Sequence, residues 1–427
     1  MVCRCASPPV AMGQICFFPP GTAHFSFHDD LETLAEGRSM YRTPILLPSL
    51  QRLAGSRVLR ILGLFAGILV LLAGSAGFAG ANDPVEKMSE AFAHMSLDEL
   101  NQALADDPRN AALYLARARH WLAKGSAPRA VVDLDQALRL GSDSIQALLL
   151  RGEAYATLGN WSRSAHDFEN ALRLAPEEEL ALFGIARARL ESGDQSQALE
   201  DLNRLLRAFP SHLQGRLQRG RLLLAEGNVQ QALADFDVAV SLDQQSVDGL
   251  FGRGKSRRVL GSPDRALVDL NRVIMLQPTA EAHLERGLAH GALGDLRSAL
   301  NDFNTALRLA PGDPQIHFHR ASLQVLAGDH QRAIADFTQT LRRDPDHLQA
   351  LLGRGLAHQE LEQFAEAIED YTRVLRLDAN HSGTLNNRGM VLLQLGHLTQ
   401  GCEDLRAACA LGRCTTLEFA RKEGYCP

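Results

Sequence analysis

The sequence has few aromatic residues and no excess of positive charge. Aromatic side chains make up 6% of its 427 residues, and the formal net charge at pH 7 is -6. A chain without an overall positive field does not attract polyanions, so nucleic-acid binding is disfavoured. Alanine and leucine dominate the periodic segments and proline is almost absent from their interiors, which favours helices over strands. The composition therefore predicts an all-α protein, and the length allows one elongated solenoid.

Cysteine is missing from the whole middle of the chain. No cysteine lies between residues 17 and 401; three stand in the first 16 residues, and four lie close to the C-terminus at Cys402, Cys409, Cys414 and Cys426. None of these spacings is of the CxxC type that binds zinc. The C-terminal group predicts disulfides or buried thiols at the end of the fold, and no metal site.

Residues 61–82 form an apolar segment without charge, and three arginines precede it at Arg52, Arg57 and Arg60. A positive flank on the N-terminal side indicates a segment directed to the membrane, with the following chain outside the cytoplasm. The location predicted is therefore exported, which means periplasmic in a bacterium, or membrane-anchored with the rest of the chain outside the cytoplasm.

Two alternatives remain for this segment. Its densest apolar part, residues 61–72, falls short of the roughly 20 residues that a transmembrane anchor needs, and the small residues before Asn82 resemble a signal-peptidase site. A cleaved signal peptide is favoured, with a retained anchor as the alternative. Residues 40–81 are assigned to this signal or anchor, and residues 1–39 to an untranslated or disordered extension ahead of Met40.

A glycine recurs with a period of 34 residues. It stands at positions 125, 159, 193, 227 and 261, then after one spacing of 33 residues at 294, and again at 328 and 396, with Glu362 in place of one member. A Gly or Ala lies seven residues before each of these sites, an Ala usually follows five residues after, and a Leu, Phe or Tyr follows nine after. A period of this length indicates an array of helical repeats.

These spacings resemble the tetratricopeptide repeat, which has small residues at positions 8 and 20, Gly at 15, a large apolar residue at 24, Ala at 27 and Pro at 32. The resemblance covers nine repeats over residues 111–413, with a degenerate first repeat at 83–110 and a capping helix at 414–427. It implies a right-handed α-solenoid of antiparallel helix pairs, in which the first helices line a concave groove. Small side chains at positions 8 and 20 let those helices approach closely.

A charge pair recurs within the repeats. Position 7 is Arg in eight of them, with Ile185 in the other, and position 23 is Asp in all nine. The pair has two interpretations, an anion-binding ladder or an internal ion pair that joins helices. The balanced numbers of the two charges favour the internal pair.

Residues 249–256, GLFGRGKS, match the P-loop pattern GxxxxGK[ST]. A phosphate cradle needs a strand before its glycines and a helix that starts at its lysine, whereas this segment falls inside a first helix. We interpret the match as coincidental, which leaves a nucleotide-binding switch as a remote alternative. No catalytic residue and no cofactor is predicted, and the function expected is that of a non-catalytic scaffold.

The groove is the candidate site. The resemblance implies that positions 5 and 9 face the groove. Position 5 is apolar and position 9 is often basic in the N-terminal half, which predicts an apolar floor with a basic edge that suits a protein or an extended peptide with apolar and acidic residues. The alternatives are that position 5 packs on the adjacent repeat with the arginines solvated, and that the chain is a self-assembling structural repeat protein. The candidate groove residues are Arg119, Phe183, Arg187, Leu217, Arg221, Phe251, Lys255 and Phe318.

The C-terminal cysteines allow specific pairings. Cys402 and Cys409 would lie about 10 Å apart along one helix, too far to bond to each other. If the capping helix runs back antiparallel, Cys426 returns near Cys402, and Cys409 can meet Cys414 across the helix end. These two disulfides are predicted, with free thiols as the alternative.

Overall fold

The structure is a computed structural model that describes residues 84–141 and 144–427. Every regular element within these residues is an α helix, as the composition predicted. The segments assigned to the N-terminal extension (1–39) and to the signal or anchor (40–81) lie outside the described residues. Among the helices that are described, none has both the length and the apolar character needed to cross a membrane.

The described chain forms two compact units, residues 84–277 and residues 278–427. The helices of the first unit are α1 (Pro84–Ala91), α2 (Leu97–Asp106), α3 (Ala111–Ala123), α4 (Ala127–Arg139), α5 (Ile145–Thr157), α6 (Trp161–Leu174), α7 (Glu179–Glu191), α8 (Gln195–Ala208), α9 (Leu213–Ala225), α10 (Val229–Leu242), α11 (Val247–Val259) and α12 (Pro263–Leu276). Those of the second are α13 (Ala280–Ala292), α14 (Leu296–Leu309), α15 (Pro314–Leu326), α16 (His330–Arg343), α17 (Leu348–Glu360), α18 (Phe364–Leu377), α19 (Ser382–Gln394), α20 (Leu398–Ala410) and α21 (Thr415–Lys422).

From α3 onward each 34-residue period is a pair of helices joined by a short turn. The turn needs a left-handed residue at position 15, and the glycines there have φ between +70° and +89°. Glu362 occupies the same position with φ +58°, and no other non-glycine residue in the described part of the chain has a positive φ. The turn geometry is thus imposed by the packed helices even where glycine is absent, at a cost of about 1–2 kcal/mol for the left-handed Glu362.

Aromatic side chains at position 24 fill the space between successive repeats. The ring of Phe168 lies between Gly152 and Gly184: a Cβ atom added to these glycines would lie 3.0 Å and 2.5 Å from ring carbons. Gly152 is the position-8 glycine that the repeat pattern predicts. Gly184, at position 6 of the next repeat, has a role that the sequence analysis missed, although a glycine also follows Phe236 and Phe337 by the same 16 residues.

The arginine at position 7 and the aspartate at position 23 form an internal ladder. In eight repeats the arginine Nε and Nη2 both donate to the aspartate, at 2.6–2.9 Å. In most of them Nη1 also reaches position 25 of the preceding repeat, as Arg219 does to Asn203 at 2.9 Å. Hydrogen bonding to Asp133 raises the pKa of Arg117, which is the behaviour of a buried ion pair.

The repeat with Ile185 keeps the ladder by a different route. Arg189, one helical turn later, donates to Asp201 at 2.6 Å and to Glu169 of the preceding repeat at 3.0 Å. An arginine at position 11 can therefore replace one at position 7, because residues four apart share a helix face.

The C-terminal end is closed by α21 and two disulfides. Leu417 and Ala420 pack on Leu405 of α20. Cys402 is bonded to Cys426, with Cα atoms 5.6 Å apart, and Cys409 to Cys414, with Cα atoms 4.0 Å apart.

Candidate protein-binding face of the first helices

The candidate site is the surface formed by positions 5 and 9 of the first helices, here called the first-helix face. In the 84–277 unit these helices are α3, α5, α7, α9 and α11, and in the 278–427 unit they are α13, α15, α17 and α19. Each unit is described separately.

Much of the position-5 layer is buried. Leu217 is 2% exposed and packs with Phe236, and Phe318 is 6% exposed and packs in the core of its own unit. Both were predicted as groove floor, but adjacent helices cover them, so they support the surface instead of contacting a ligand. Phe183 and Phe251 are only partly buried and remain on the face.

Two of the position-5 rings contact a histidine at the end of the same repeat. The ring centroids of Phe183 and His212 lie 4.8 Å apart, as do those of Phe318 and His347. His212 Nδ1 accepts from the Gly215 N–H at 2.9 Å and so caps α9, and His347 caps α17 in the same way. Burial lowers the pKa of both histidines, which favours the neutral form that can accept this hydrogen bond.

The predicted basic edge is neutralised by carboxylates of neighbouring first helices. Arg187 at position 9 pairs with Glu153, the position-9 residue of the preceding repeat. Arg221 Nη2 lies 2.6 Å from Asp248 Oδ1, and these side chains are 47% and 57% exposed. Lys255 Nζ lies 5.9 Å from the centroid of the Phe251 ring. The sequence already indicated this neutralisation of charge, because Glu153 and Arg187 carry opposite charges and stand 34 residues apart at the same repeat position. The prediction of a basic edge overlooked that pair.

Arg119 is placed differently from the other position-9 cations. Its Nη1 donates to Ser89 Oγ at 2.7 Å, and burial lowers the pKa of the guanidinium despite the nearby carboxylates of Glu86 and Glu90. Ser89 belongs to α1, so the chain itself covers this end of the face.

In the 278–427 unit the face carries no charge at position 9. The residues there are Leu288, Ser322, Leu356 and Met390. Ser322 Oγ donates to the Phe318 carbonyl at 2.9 Å, so its hydroxyl is turned into its own helix. The cationic character of the face is confined to the 84–277 unit.

The P-loop-like segment lies wholly within α11. A Cβ atom at Gly254 would lie 3.0 Å from Leu270, and Ser256 Oγ donates to the Gly252 carbonyl at 2.8 Å. These residues serve helix packing, and their backbone N–H groups are directed along a helix. Across the part of the chain that the structure describes, no group of His, Cys, Asp and Glu is arranged to hold a metal ion.

Comparison with known families decides the assignment. The family model described as tetratricopeptide repeat matches in overlapping segments at residues 96–145, 149–212, 183–247, 217–281, 251–314, 284–347, 321–382 and 352–413. The chain belongs to the tetratricopeptide repeat family. The paired helices, the left-handed turn at position 15 and the small-residue crossings are thus those of tetratricopeptide repeats, and the all-α solenoid class is confirmed. Such repeats are generally non-catalytic scaffolds for protein–protein interaction.

Several solved tetratricopeptide repeat structures resemble this chain. YrrB, described as a TPR protein with an unusual peptide-binding site, is 23% identical over 47% of this chain and all of its own, with a TM-score of 0.39. A thermophilic TPR protein from Thermus thermophilus is 26% identical over 43% of this chain and all of its own, with a TM-score of 0.33. The Cut9–Hcn1 structure of the APC/C is 14% identical over 81% of this chain and 96% of its own, with a TM-score of 0.46. Among curated proteins no match is found.

Proposed function

We propose that this protein is an exported or membrane-anchored, non-catalytic adaptor that binds a segment of another protein along the first-helix face of its 84–277 unit. The observation that carries the proposal is two solvent-accessible ion pairs, Arg187–Glu153 and Arg221–Asp248, beside the partly buried rings of Phe183 and Phe251. Arg187 and Arg221 each pair with a carboxylate of a neighbouring first helix; the Arg221–Asp248 pair is exposed and the Arg187–Glu153 pair is half-buried. Exposed pairs contribute only about 0–1 kcal/mol each. An acidic ligand can therefore replace Glu153 or Asp248 at little cost.

Aromatic and cationic residues alternate along this face in a way that suits a peptide. Phe183 and Arg187, and likewise Phe251 and Lys255, are four residues apart on one helix, so that each ring has a cation one turn away. A peptide with an apolar side chain close to a carboxylate would place the first on the ring and the second on the cation.

The proposed location rests on the chain ends. The apolar segment 61–82 with its arginine flank supports export. Two disulfides in the C-terminal cap are typical of an oxidising compartment outside the cytoplasm.

The function is tested by photocrosslinking in the native cell. A photoreactive amino acid replaces Phe251 on the first-helix face in the test variant. In the control it replaces Val268, which lies on a second helix and is 69% exposed. We expect a specific adduct from position 251 and none from 268, and mass spectrometry of the adduct identifies the partner. Equal crosslinking from both positions would contradict the proposal, and an adduct made only of this same chain would show self-assembly.

The charge dependence is tested on the identified partner. Arg187→Glu with Arg221→Glu is compared with Arg265→Glu plus Arg272→Glu, which make the same change in net charge at two exposed positions of α12. We expect the first variant alone to bind the partner at least tenfold more weakly than the wild type. We also expect added salt to weaken the binding of the partner by the wild type. Equal affinities of the two variants would exclude this face as the binding surface.

A further inference from the structure

Helix α1 is seated on the first-helix face of its own unit. Ser89 is fully buried and receives the hydrogen bond from Arg119. Val85 packs against the apolar cluster around Leu115 and Ala118 of α3. The helix thus places a hydroxyl on Arg119, at position 9 of the repeat that begins at Ala111 (here called repeat one). It also places an apolar side chain against the cluster that contains Leu115, at position 5 of that repeat.

The acidic residues of α1 face the same surface. The carboxylates of Glu86 and Glu90 are close enough to Arg119 for their charges to oppose the effect of burial on its pKa. Burial raises the pKa of Glu178, and the charges of Glu179 and Glu86 add to that effect. Glu178 immediately precedes α7, so the charge of Glu86 acts on the position before that helix.

This placement differs from a hairpin. In the other repeats the two helices of a pair pack against each other and several successive first helices also touch, whereas α1 packs mainly on α3 and has no comparable contact with α2. Leu100 and Leu104 of α2 pack instead on Leu113 and Ala116, a different side of α3. The segment 83–110, predicted as a degenerate repeat, therefore supplies one helix of the ordinary kind and one helix that lies on the binding face.

We propose that α1 is a built-in ligand of the first-helix face, and that the external partner of this face is a short acidic helix of the same chemistry, which must displace α1 to reach Arg119. This proposal rests on the proposed function and narrows its partner. Other arginines of this face also bind carboxylates, because Arg187 pairs with Glu153 and Arg221 with Asp248. In repeat one the carboxylates come from α1, which a partner with similar residues can replace.

The proposal is tested on the full chain by reversing the charges. In Glu86→Lys/Glu90→Lys the carboxylates facing Arg119 become cations, and in the triple variant Arg119→Glu is added to restore attraction. Hydrogen–deuterium exchange of residues 84–91 and 111–123 reports whether α1 is seated. We expect at least tenfold faster exchange of residues 84–91 in the double variant and protection close to wild type in the triple variant. Unchanged protection of 84–91 in the double variant would overturn the proposal.

The matched control is Asp106→Lys/Glu200→Lys, at exposed positions of α2 and α8. It changes the net charge of the protein by the same amount as Glu86→Lys/Glu90→Lys. We expect it to leave the exchange of 84–91 unchanged. An effect as large as that of the Glu86 and Glu90 reversal would show that only net charge matters and would overturn the proposal.

A second readout uses a fluorescent peptide of residues 84–91 as the probe. We expect it to bind the double variant, whose own α1 is released, at least tenfold more tightly than it binds wild type or the triple variant. Equal binding to the double and triple variants would show that Arg119 does not select the acidic helix. If α1 proves unseated while position 251 still crosslinks a partner, this inference fails and the proposed function stands. If α1 is seated and no adduct forms at position 251, the proposed function fails and the acidic-helix partner fails with it, while α1 remains a ligand of this face.

Discussion

The ring of Phe236 occupies the space that a side chain at Gly252 would need. A Cβ atom at Gly252 would lie 2.4 Å from ring carbons of Phe236, and one at Gly220 would lie 2.9 Å from them. The ring is completely buried. Large and small residues of consecutive repeats thus depend on each other, and this dependence joins one repeat to the next.

Gly252→Ala is expected to destabilise the protein by about 1–3 kcal/mol, because the new methyl group overpacks a full core. In a Phe236→Leu background the same change should be neutral or stabilising, since leucine occupies position 24 in other repeats and alanine has the higher helix propensity. Denaturant unfolding of the four proteins measures this coupling. Gly291→Ala, whose Cβ atom would lie 3.6 Å from the nearest atom, serves as a control without a clash. Equal effects of Gly252→Ala in both backgrounds would contradict the packing argument.

Asp235→Asn is expected to destabilise the protein by about 3–5 kcal/mol. Asp235 is 1% exposed and accepts hydrogen bonds from Arg216 and Arg219, all at 2.7 Å. An amide at this site leaves buried cationic groups without their counter-charge. Asp237→Asn is the control, because Asp237 is 48% exposed and its loss should cost at most about 1 kcal/mol. Melting temperatures compare the two, and an unchanged value for Asp235→Asn would show that the ladder is not structural.

Acidification should lower the stability of the folded protein through protonation of His212 and His347. Burial lowers their pKa in the folded state below the ordinary value of 6.5, so the unfolded chain takes up protons first as the pH falls. The free energy of unfolding that these two histidines contribute is therefore fully present above about pH 6.5. It is lost as the pH falls from there through the lower pKa of the folded state. Protonation also removes the Nδ1 acceptor that caps α9 and α17.

The measurement for the histidines is the midpoint of denaturant unfolding between about pH 7.5 and pH 5, which spans the ordinary histidine pKa. In His212→Asn/His347→Asn the side chain still caps a helix but does not titrate. The midpoint of this variant should fall less steeply with pH than that of the wild type. Parallel slopes would exclude the two histidines as the groups responsible.

The two C-terminal disulfides should contribute unequally. Cys402 and Cys426 are 24 residues apart in sequence, whereas Cys409 and Cys414 are 5 apart. Closing a longer loop lowers the entropy of the unfolded chain more. We therefore expect Cys402→Ser/Cys426→Ser to lower the free energy of unfolding by about 3 kcal/mol, and Cys409→Ser/Cys414→Ser to lower it by less. Hydrogen exchange of α21 is the measurement, and non-reducing peptide mapping checks the pairing. Equal exchange in both variants would contradict this order.

The repeat period, the turns and the helix pairs follow from the sequence alone. They depend on short-range chemistry: a glycine that ends one helix, a small residue where helices cross, and an alternation of apolar positions that is repeated every 34 residues. For the same reason the P-loop-like segment could be assigned to a helix, since its residues fall on repeat positions with known roles.

Only the tertiary structure decided what the first-helix face offers. The sequence showed Arg119, Arg187 and Arg221 as a basic row, but these side chains are held by Ser89, Glu153 and Asp248, and each of these partners lies on a different helix from its arginine. Likewise the sequence predicted Leu217 and Phe318 as groove floor, yet neighbouring helices bury them. Pairing and burial depend on contacts between helices distant in sequence, which a repeat pattern does not specify because it describes each repeat in the same terms.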